Sequence, residues 1–442
     1  MSVDTHAHVS PSAPALDAPR AAGCLHVVVI GAGLCGLGAA ISLRLAGHAV
    51  TVVERVAALE EVGAGLQMTP NGTRLLRAWG VDALLTGTAA ATRPATFAMS
   101  RFDGRPLARR EGYAQELEQR HGSPLWCLHR ADLQRALAER ARQLGAVVRL
   151  DARVVDVDAS RGLVELHGGH TLAADLVIAA DGLWSTSRAV VADAVPQPTG
   201  QVAYRIVLER SQLQDARVAE HFATPGIHVW VGPGAHAVAY SVRGGRSINI
   251  VLLVPDDLPA QVAKTEGDVA EMHALFAGWD PILRRALDET DKVLKWRLHF
   301  LPPLPRWVSS NGRFLLAGDS AHAMLPYMGQ GANSALEDAA TIGALLSHVA
   351  DPAQLAPALA LYDAIRRPRL DQLVRETFAQ GREHHLADGA EQVLRDAQLA
   401  RSMMPEWGPG SDHPWTHPKI QPWIYGYDAY AEAEAMFHQH PF

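Results

Sequence analysis

Two glycine-rich stretches, each fed by an apolar run, hold the residues of this chain whose types and spacing suit chemistry. The first is Gly31-Ala32-Gly33-Leu34-Cys35-Gly36, preceded by the β-branched run Leu25 to Ile30 and followed by helix formers through Leu45; a further strand, Ala49 to Val53, ends on Glu54. Strand, glycine turn, helix, strand and acid make a complete βαβ unit, with the acid about 20 residues beyond the glycines as a dinucleotide-binding fingerprint requires. Gly31 allows the tight turn, Gly33 the backbone approach to a pyrophosphate, and Gly36 close packing of helix on strand. The helix start offers N–H groups and a positive dipole end to phosphate, and Glu54 can accept from a ribose hydroxyl. This motif alone does not separate FAD from NAD.

The second stretch runs Gly318-Asp319-Ser320-Ala321-His322 and on through Leu325-Pro326-Tyr327-Met328-Gly329-Gln330-Gly331-Ala332-Asn333. It lies between the apolar run Phe314 to Ala317 and a helix-like segment from Ser334 to about Leu346. An acid at a strand end, then a glycine-rich approach to a helix, is where a polar cofactor is held; alone, it fits an ordinary Asp-capped loop equally well. A third strand end repeats the theme, since Leu176 to Ala180 leads into Asp181-Gly182-Leu183-Trp184-Ser185-Thr186-Ser187-Arg188.

The elements that must position these residues divide the chain. Leu128-His129-Arg130-Ala131-Asp132-Leu133 opens a helix, and Val147 to Leu150 and Arg153 to Val157 read as strands of the glycine-rich half's sheet. Asp103-Gly104 reads as a hairpin turn, and Thr69 or Asn71 serves a ligand loop or caps a helix from Thr73 to Trp79. From about Gln201 to Pro255 the pattern alternates: Val202 to Val207, His228 to Val231, His236 to Val242 and Ser247 to Leu253, an antiparallel sheet in a separate layer. The expected domains are a loose tail over 1–23, a discontinuous dinucleotide-binding domain over 24–95, 125–200 and 296–370, a substrate domain over 96–124 and 201–295, and a C-terminal helical segment and tail over 371–442.

Composition narrows the function. The 442 residues are 48% hydrophobic and 20% charged, as in soluble enzymes, and the net charge of −7 with no basic block argues against nucleic acid. Three scattered cysteines make neither a disulfide framework nor a zinc site, the 21 histidines show no metal-ligand spacing, and a reducing cytoplasm is expected. The longest apolar runs are strand-sized, so no transmembrane helix is expected, and the first 20 or so residues lack signal-peptide character. No second glycine-rich βαβ unit is present.

Three separated motifs in this order resemble the FAD-dependent aromatic hydroxylases, the single-component flavoprotein monooxygenases that act on salicylate, hydroxybenzoate and hydroxynicotinate. The resemblance covers roughly Leu25 to Leu370, and Trp423-Ile424-Tyr425-Gly426-Tyr427-Asp428 looks like the salicylate hydroxylase side of the family. It implies an α/β fold like that of p-hydroxybenzoate hydroxylase: a Rossmann-type FAD domain, an antiparallel substrate sheet and C-terminal helices. It places Gly31, Gly33, Gly36 and Glu54 on the pyrophosphate and adenosine ribose, Asp181-Gly182 near FAD and the nicotinamide donor, Arg130 on FAD, and Gly318-Asp319 on the ribityl chain. Pro326 is retained, although His322-Ala323 stands where the family often has His-Pro. Gly331, Ala332 and Asn333, at a helix start, would support negative charge on the reduced flavin.

The resemblance also implies hydroxylation of a phenolic or hydroxy-heteroaromatic acid with O2 and NADH or NADPH, a transient donor without its own Rossmann domain, through a flavin C4a-hydroperoxide. His236 and Tyr240, four positions apart and so on one strand face, resemble the family's substrate-side His and Tyr; His suits proton abstraction and Tyr a hydrogen bond or relay. Tyr327 stands where relatives put a residue beside the substrate. Arg205 suits a substrate carboxylate but reads more readily as a sheet-edge arginine, His322 as satisfying local backbone groups, and His384-His385 as a surface helix end. The expected partners are a small aromatic substrate and O2, with no membrane, for a monomer or homodimer. The competing readings are a same-fold epoxidase or reductase and a non-catalytic flavin-binding regulator.

Overall fold

The computed structural model describes residues 23–59, 64–402 and 420–442. The expected N-terminal tail, apart from Gly23, and the His/Pro/Trp-rich segment over 403–419 lie outside the described residues. The first layer is a five-stranded parallel sheet in the order Phe314–Leu316, Leu176–Ala179, His26–Ile30, Ala49–Val53, Val147–Arg149. Its central strands are apolar runs because helices or neighbouring sheets cover both faces. Ile30 lies beside Ala179, and Ala179 beside Leu316. The three motif-bearing strand ends are therefore neighbours, and Gly31, Asp181 and Gly318-Asp319 leave the sheet side by side.

The strand at Val154–Asp158 departs from expectation. It joins Leu163–Leu166 and Thr171–Ala173 in a small antiparallel sheet of its own. Asp151 takes a positive φ of 52° and turns the chain away from the parallel sheet after Arg149. The adjacent backbone bonds, Asp151 N–H to Val56 and Ala152 N–H to Glu54, hold that departure.

The second layer is an eight-stranded sheet, in the order Lys264–Gly267, Val293–Phe300, Gln197–Glu209, Ser247–Pro255, Ala235–Val242, Gly226–Gly232, Thr96–Arg101, Pro106–Glu111. Every pair is antiparallel except Gly226–Gly232 with Thr96–Arg101, and the last two strands form the hairpin around Asp103-Gly104. Alternation divides its faces. Tyr204, Ile206, Ala237, Ile250 and Leu252 enter a core with Phe222, Phe276 and Trp279, while Ala203, Arg205, His236, Val238, Tyr240, Val251 and Leu253 face the parallel sheet's carboxyl ends. Strands Gln197–Glu209 and Val293–Phe300 carry this sheet past both edges of the 201–295 span.

Helix Gly331–Ser347 packs against helix Leu34–Leu45, with Gly343 against Ser42 and Gly38 against Leu336 and Ala339. Behind it runs helix Leu355–His384, which crosses position 370 without a break. Among the described residues, no helix is long and apolar enough to cross a membrane.

These two helices meet through a buried ionic network. Arg366 donates to Asp338 Oδ1 and Glu337 Oε2, both at 2.8 Å, and Arg369 donates to Glu337 Oε2 at 3.0 Å. The Tyr427 ring centroid lies 3.7 Å from the Arg369 guanidinium, which also donates to the Trp423 carbonyl. Burial pushes both carboxyls up, but their partners outweigh it: Arg369 and Arg366 hold Glu337 low, and His322 and Arg366 hold Asp338 low. Carboxyls held low in the fold contribute stability above their unfolded pKa values of about 4, and that contribution is lost as pH falls through and below them. Arg366→Met leaves two buried carboxylates undercompensated, and the expected loss is about 3–5 kcal/mol at neutral pH. Urea unfolding checks this, and a midpoint unchanged from wild type would show the network to be energetically silent.

Candidate active site

A cavity of about 340 Å³ lies between the carboxyl ends of the parallel sheet and the inner face of the large sheet. Gly33, Arg130, Gly182, Asp319, Pro326, Gly331 and Ala332 line one side, and Arg205, His236, Tyr240 and Tyr327 the other. One space thus joins the glycine-rich stretches to the alternating strands.

On the first side the glycines differ in what they face. A Cβ on Gly31 would lie 2.5 Å from the Ala180 carbonyl oxygen, and one on Gly36 would lie 2.0 Å from that of Gly31. A Cβ on Gly33 meets nothing within 4 Å, nor does one on Gly182 or Gly331. The turn is closed by packing at two glycines and left open at the third, which leaves room for a pyrophosphate against the backbone. Glu54 closes the unit, accepting from the N–H of Ala32 at 2.8 Å and of Val56 at 3.1 Å. Asp181 Oδ1 is buried without a hydrogen-bond partner among the described residues, and Asp319 is exposed to the cavity on a single helical turn, Asp319–His322. An open glycine cradle, a carboxylate after the second strand of the βαβ unit and an exposed carboxylate at the cavity fit a dinucleotide bearing a polyol chain.

The loop between Pro326 and the helix start is braced from behind. Asn333 Oδ1 accepts from the Thr69 N–H at 3.0 Å, and its Nδ2 donates to the Gly329 and Gln67 carbonyls at 2.7 and 3.0 Å. Its side chain is spent as a clamp, so only its backbone N–H is left for a ligand. Asn71 Nδ2 donates to Glu337 Oε1 at 2.7 Å, and the Thr69 hydroxyl donates to the Asn71 side-chain oxygen without capping the backbone of the helix it precedes. Asp338 Oδ2 accepts from the Gly318 N–H at 2.9 Å, tying the ionic network to the strand end that carries Asp319.

On the second side, His236 lies 5.0 Å, centroid to centroid and edge-on, from Tyr327 and 4.7 Å from His384. Its Nδ1 is 2.6 Å from His385 Nε2. Burial, and then the neighbouring His385, hold His236 well below its ordinary value; burial raises the phenols of Tyr240 and Tyr327 above theirs. At neutral pH the histidine is an uncharged base candidate and the tyrosines remain donors. Tyr327 is seated on Gly381, where a Cβ would come within 2.4 Å of its ring. Gly381→Ala is expected to push that ring into the cavity and raise substrate KM about tenfold, with FAD affinity unchanged, because a displacement of about 1 Å near a reacting centre costs heavily. Steady-state kinetics and flavin titration check it, and an unaltered KM would place Tyr327 outside the substrate's reach.

Residues 25–377 match the sequence family described as FAD binding domain. Among curated proteins, FAD-dependent monooxygenase OpS4 of Beauveria bassiana (strain ARSEF 2860) is 46% identical over 417 residues, covering 93% of this chain and 97% of that one. The chain belongs to the FAD-dependent monooxygenases. This monooxygenase is also 32% identical over 385 residues to 3-hydroxybenzoate 6-hydroxylase of Polaromonas naphthalenivorans (strain CJ2), covering 86% and 93% of the two chains. Its structure resembles a salicylate hydroxylase substrate complex with a TM-score of 0.76 at 27% identity, over 93% of this chain and 98% of the other. The fold is that of the p-hydroxybenzoate hydroxylase-like flavoproteins.

Four residues of the monooxygenase lie elsewhere than their sequence context suggests. Arg205 is no edge residue: its strand is paired on both sides, opposite Val251 and Leu294, and its guanidinium stacks 4.4 Å from the Trp296 ring. His322 bonds the Asp338 carboxylate at 2.6 Å, not local backbone groups. His384 is buried and His385 half-buried against His236, because the long helix ends at the cavity and not at the surface.

Proposed function

We propose that this monooxygenase hydroxylates a small phenolic or hydroxy-heteroaromatic acid of the hydroxybenzoate, salicylate or hydroxynicotinate type, with NADH or NADPH as transient donor. The observation that carries the reading is His236, edge-on to Tyr327, in one cavity with Tyr240, Asp319 and Gly331. The names of the hydroxybenzoate and salicylate hydroxylase relatives support it. Bound FAD, held by Gly31, Gly33, Gly36, Glu54, Arg130, Asp181-Gly182, Gly318-Asp319, Pro326 and the helix start at Gly331 to Asn333, supplies the reductive activation of O2.

The chain's own residues do the rest. His236 accepts the phenol proton, which makes the ring more electron-rich. Tyr240 and Tyr327, kept protonated by burial, donate to the phenolate and hold the ring's orientation. Arg205, fixed against Trp296, holds the substrate's acidic group by a charge-assisted bond. Apolar walls from Val238, Val251, Leu253 and Leu298 exclude water.

The test is NADH and NADPH consumption by the FAD-loaded protein across hydroxylated benzoates and nicotinates, with products identified. At least one such acid is expected to accelerate consumption and to yield its hydroxylated derivative. Acceleration by isolated alkenes instead would assign epoxidation.

A further inference from the structure

His385 extends the base candidate away from the cavity. Besides the 2.6 Å contact with His236 Nδ1, its own Nδ1 lies 2.8 Å from Gln201 Nε2. Both rings are neutral near pH 7, since burial holds His385 at about 4 and His236 well below its usual value. Between two neutral imidazoles, one nitrogen must donate and the other accept. An amide nitrogen only donates, so Gln201 Nε2 makes His385 Nδ1 an acceptor; His385 Nε2–H then donates to His236 Nδ1, leaving a proton on His236 Nε2. In this polarity His236 offers the cavity an N–H. Gln201 Oε1 meanwhile is buried without a partner among the described residues.

Turning the amide over reverses every bond. Oε1 then accepts from His385 Nδ1–H, His385 Nε2 accepts from His236 Nδ1–H, and His236 Nε2 faces the cavity as a lone pair. We propose that Gln201, His385 and His236 form a reversible hydrogen-bond chain in which the Gln201 amide sets whether His236 meets the substrate as a donor or as a base, with His385 as the positioning residue between them. The inference rests on the reading of His236 as the substrate's base. When the substrate phenol gives its proton to His236 Nε2, the His236 Nδ1 proton passes to His385 Nε2. The positive charge then sits beside Gln201 Oε1, and it returns to neutral when that proton goes back to the product or to solvent.

The groups facing this pair are few. His384 and Tyr327 pack on His236 from the long helix and the loop, Tyr327 also faces His385, Tyr240 and Arg205 share the cavity from the sheet, and Arg130, Cys35 and Asp319 line it from the cofactor side. The strand neighbours of His236, Val231 and Leu253, are apolar.

Three variants of the FAD-loaded enzyme test the chain. His385→Phe keeps a ring but removes both nitrogens, and is expected to lower kcat about 10- to 100-fold with substrate KM and FAD affinity unchanged. His385→Gln places an amide oxygen near the Nε2 position and is expected to restore most of kcat. Gln201→Glu supplies a fixed acceptor and negative charge, and is expected to move the acid limb of the kcat/KM pH profile upward by about one unit. Wild-type kcat in His385→Phe, or an unmoved limb in Gln201→Glu, overturns the proposal. His236→Ala, run in parallel, separates the two levels: full coupled hydroxylation there removes the base itself, whereas a silent His385→Phe beside an impaired His236→Ala removes only the chain.

Discussion

Replacing His236 with alanine is expected to leave FAD bound and to lower ring hydroxylation by about 100- to 10,000-fold, the range that a positioned general base supplies. NAD(P)H consumption continues, but its electrons leave as hydrogen peroxide. The variant should fold, because position 236 lies inside a strand paired with Val231 on one side and Leu253 on the other, and alanine keeps both ladders. The cofactor side is untouched, since Gly33, Asp319 and Gly331 belong to the opposite wall. The effect should therefore fall on the ratio of product formed to NAD(P)H consumed, measured with peroxide in the same assay. An unchanged ratio would remove His236 from the chemistry and leave Tyr240 or Tyr327 as the groups to examine.

Gly33→Asp is expected to separate cofactor binding from folding. A Cβ at position 33 meets no atom within 4 Å, so the apoprotein accommodates the side chain and its thermal midpoint stays near wild type. With FAD, the new carboxylate faces the pyrophosphate. Like charges about 4 Å apart near a protein surface repel by about 4 kcal/mol, so FAD affinity should fall at least about 100-fold. Gly36→Ala provides the contrast, because its Cβ would lie 2.0 Å from the Gly31 carbonyl oxygen and must open the turn even without cofactor. Flavin fluorescence titration and melting of the apoprotein give the two readouts. Wild-type FAD affinity in Gly33→Asp would mean that the open side of the turn is not the cofactor's.

The cofactor side was legible because its signals are local. Glycines at fixed spacing, an acid at a strand end and an Asp before a helix occupy short stretches, and parallel neighbours bring them together without further information. The strands of the large sheet were readable for the same reason: alternation places His236 and Tyr240 on one face whatever the tertiary context. What resisted reading is non-local. Nothing near His385 says that a helix begun at Leu355 ends against residue 236, and only strand pairing on both sides shows Arg205 to be interior. Glu337, Asp338, Arg366 and Arg369 carry no motif that singles them out. Arg366 and Arg369 stand in a stretch with Asp363, Arg367 and Asp371, and their burial depends on two helices meeting.

The central claim is that one oxygen atom of O2 enters an aromatic ring held between His236 and the cofactor wall. It is tested most directly by turnover under ¹⁸O2 with FAD-loaded enzyme, NADH or NADPH, and the hydroxybenzoate that most accelerates consumption. The expected result is a product carrying one ¹⁸O atom on a ring carbon, formed in near-equal amount to the NAD(P)H consumed. A protein that binds FAD and oxidises NAD(P)H but gives, with every aromatic acid tried, only peroxide and no ¹⁸O-labelled ring would contradict it.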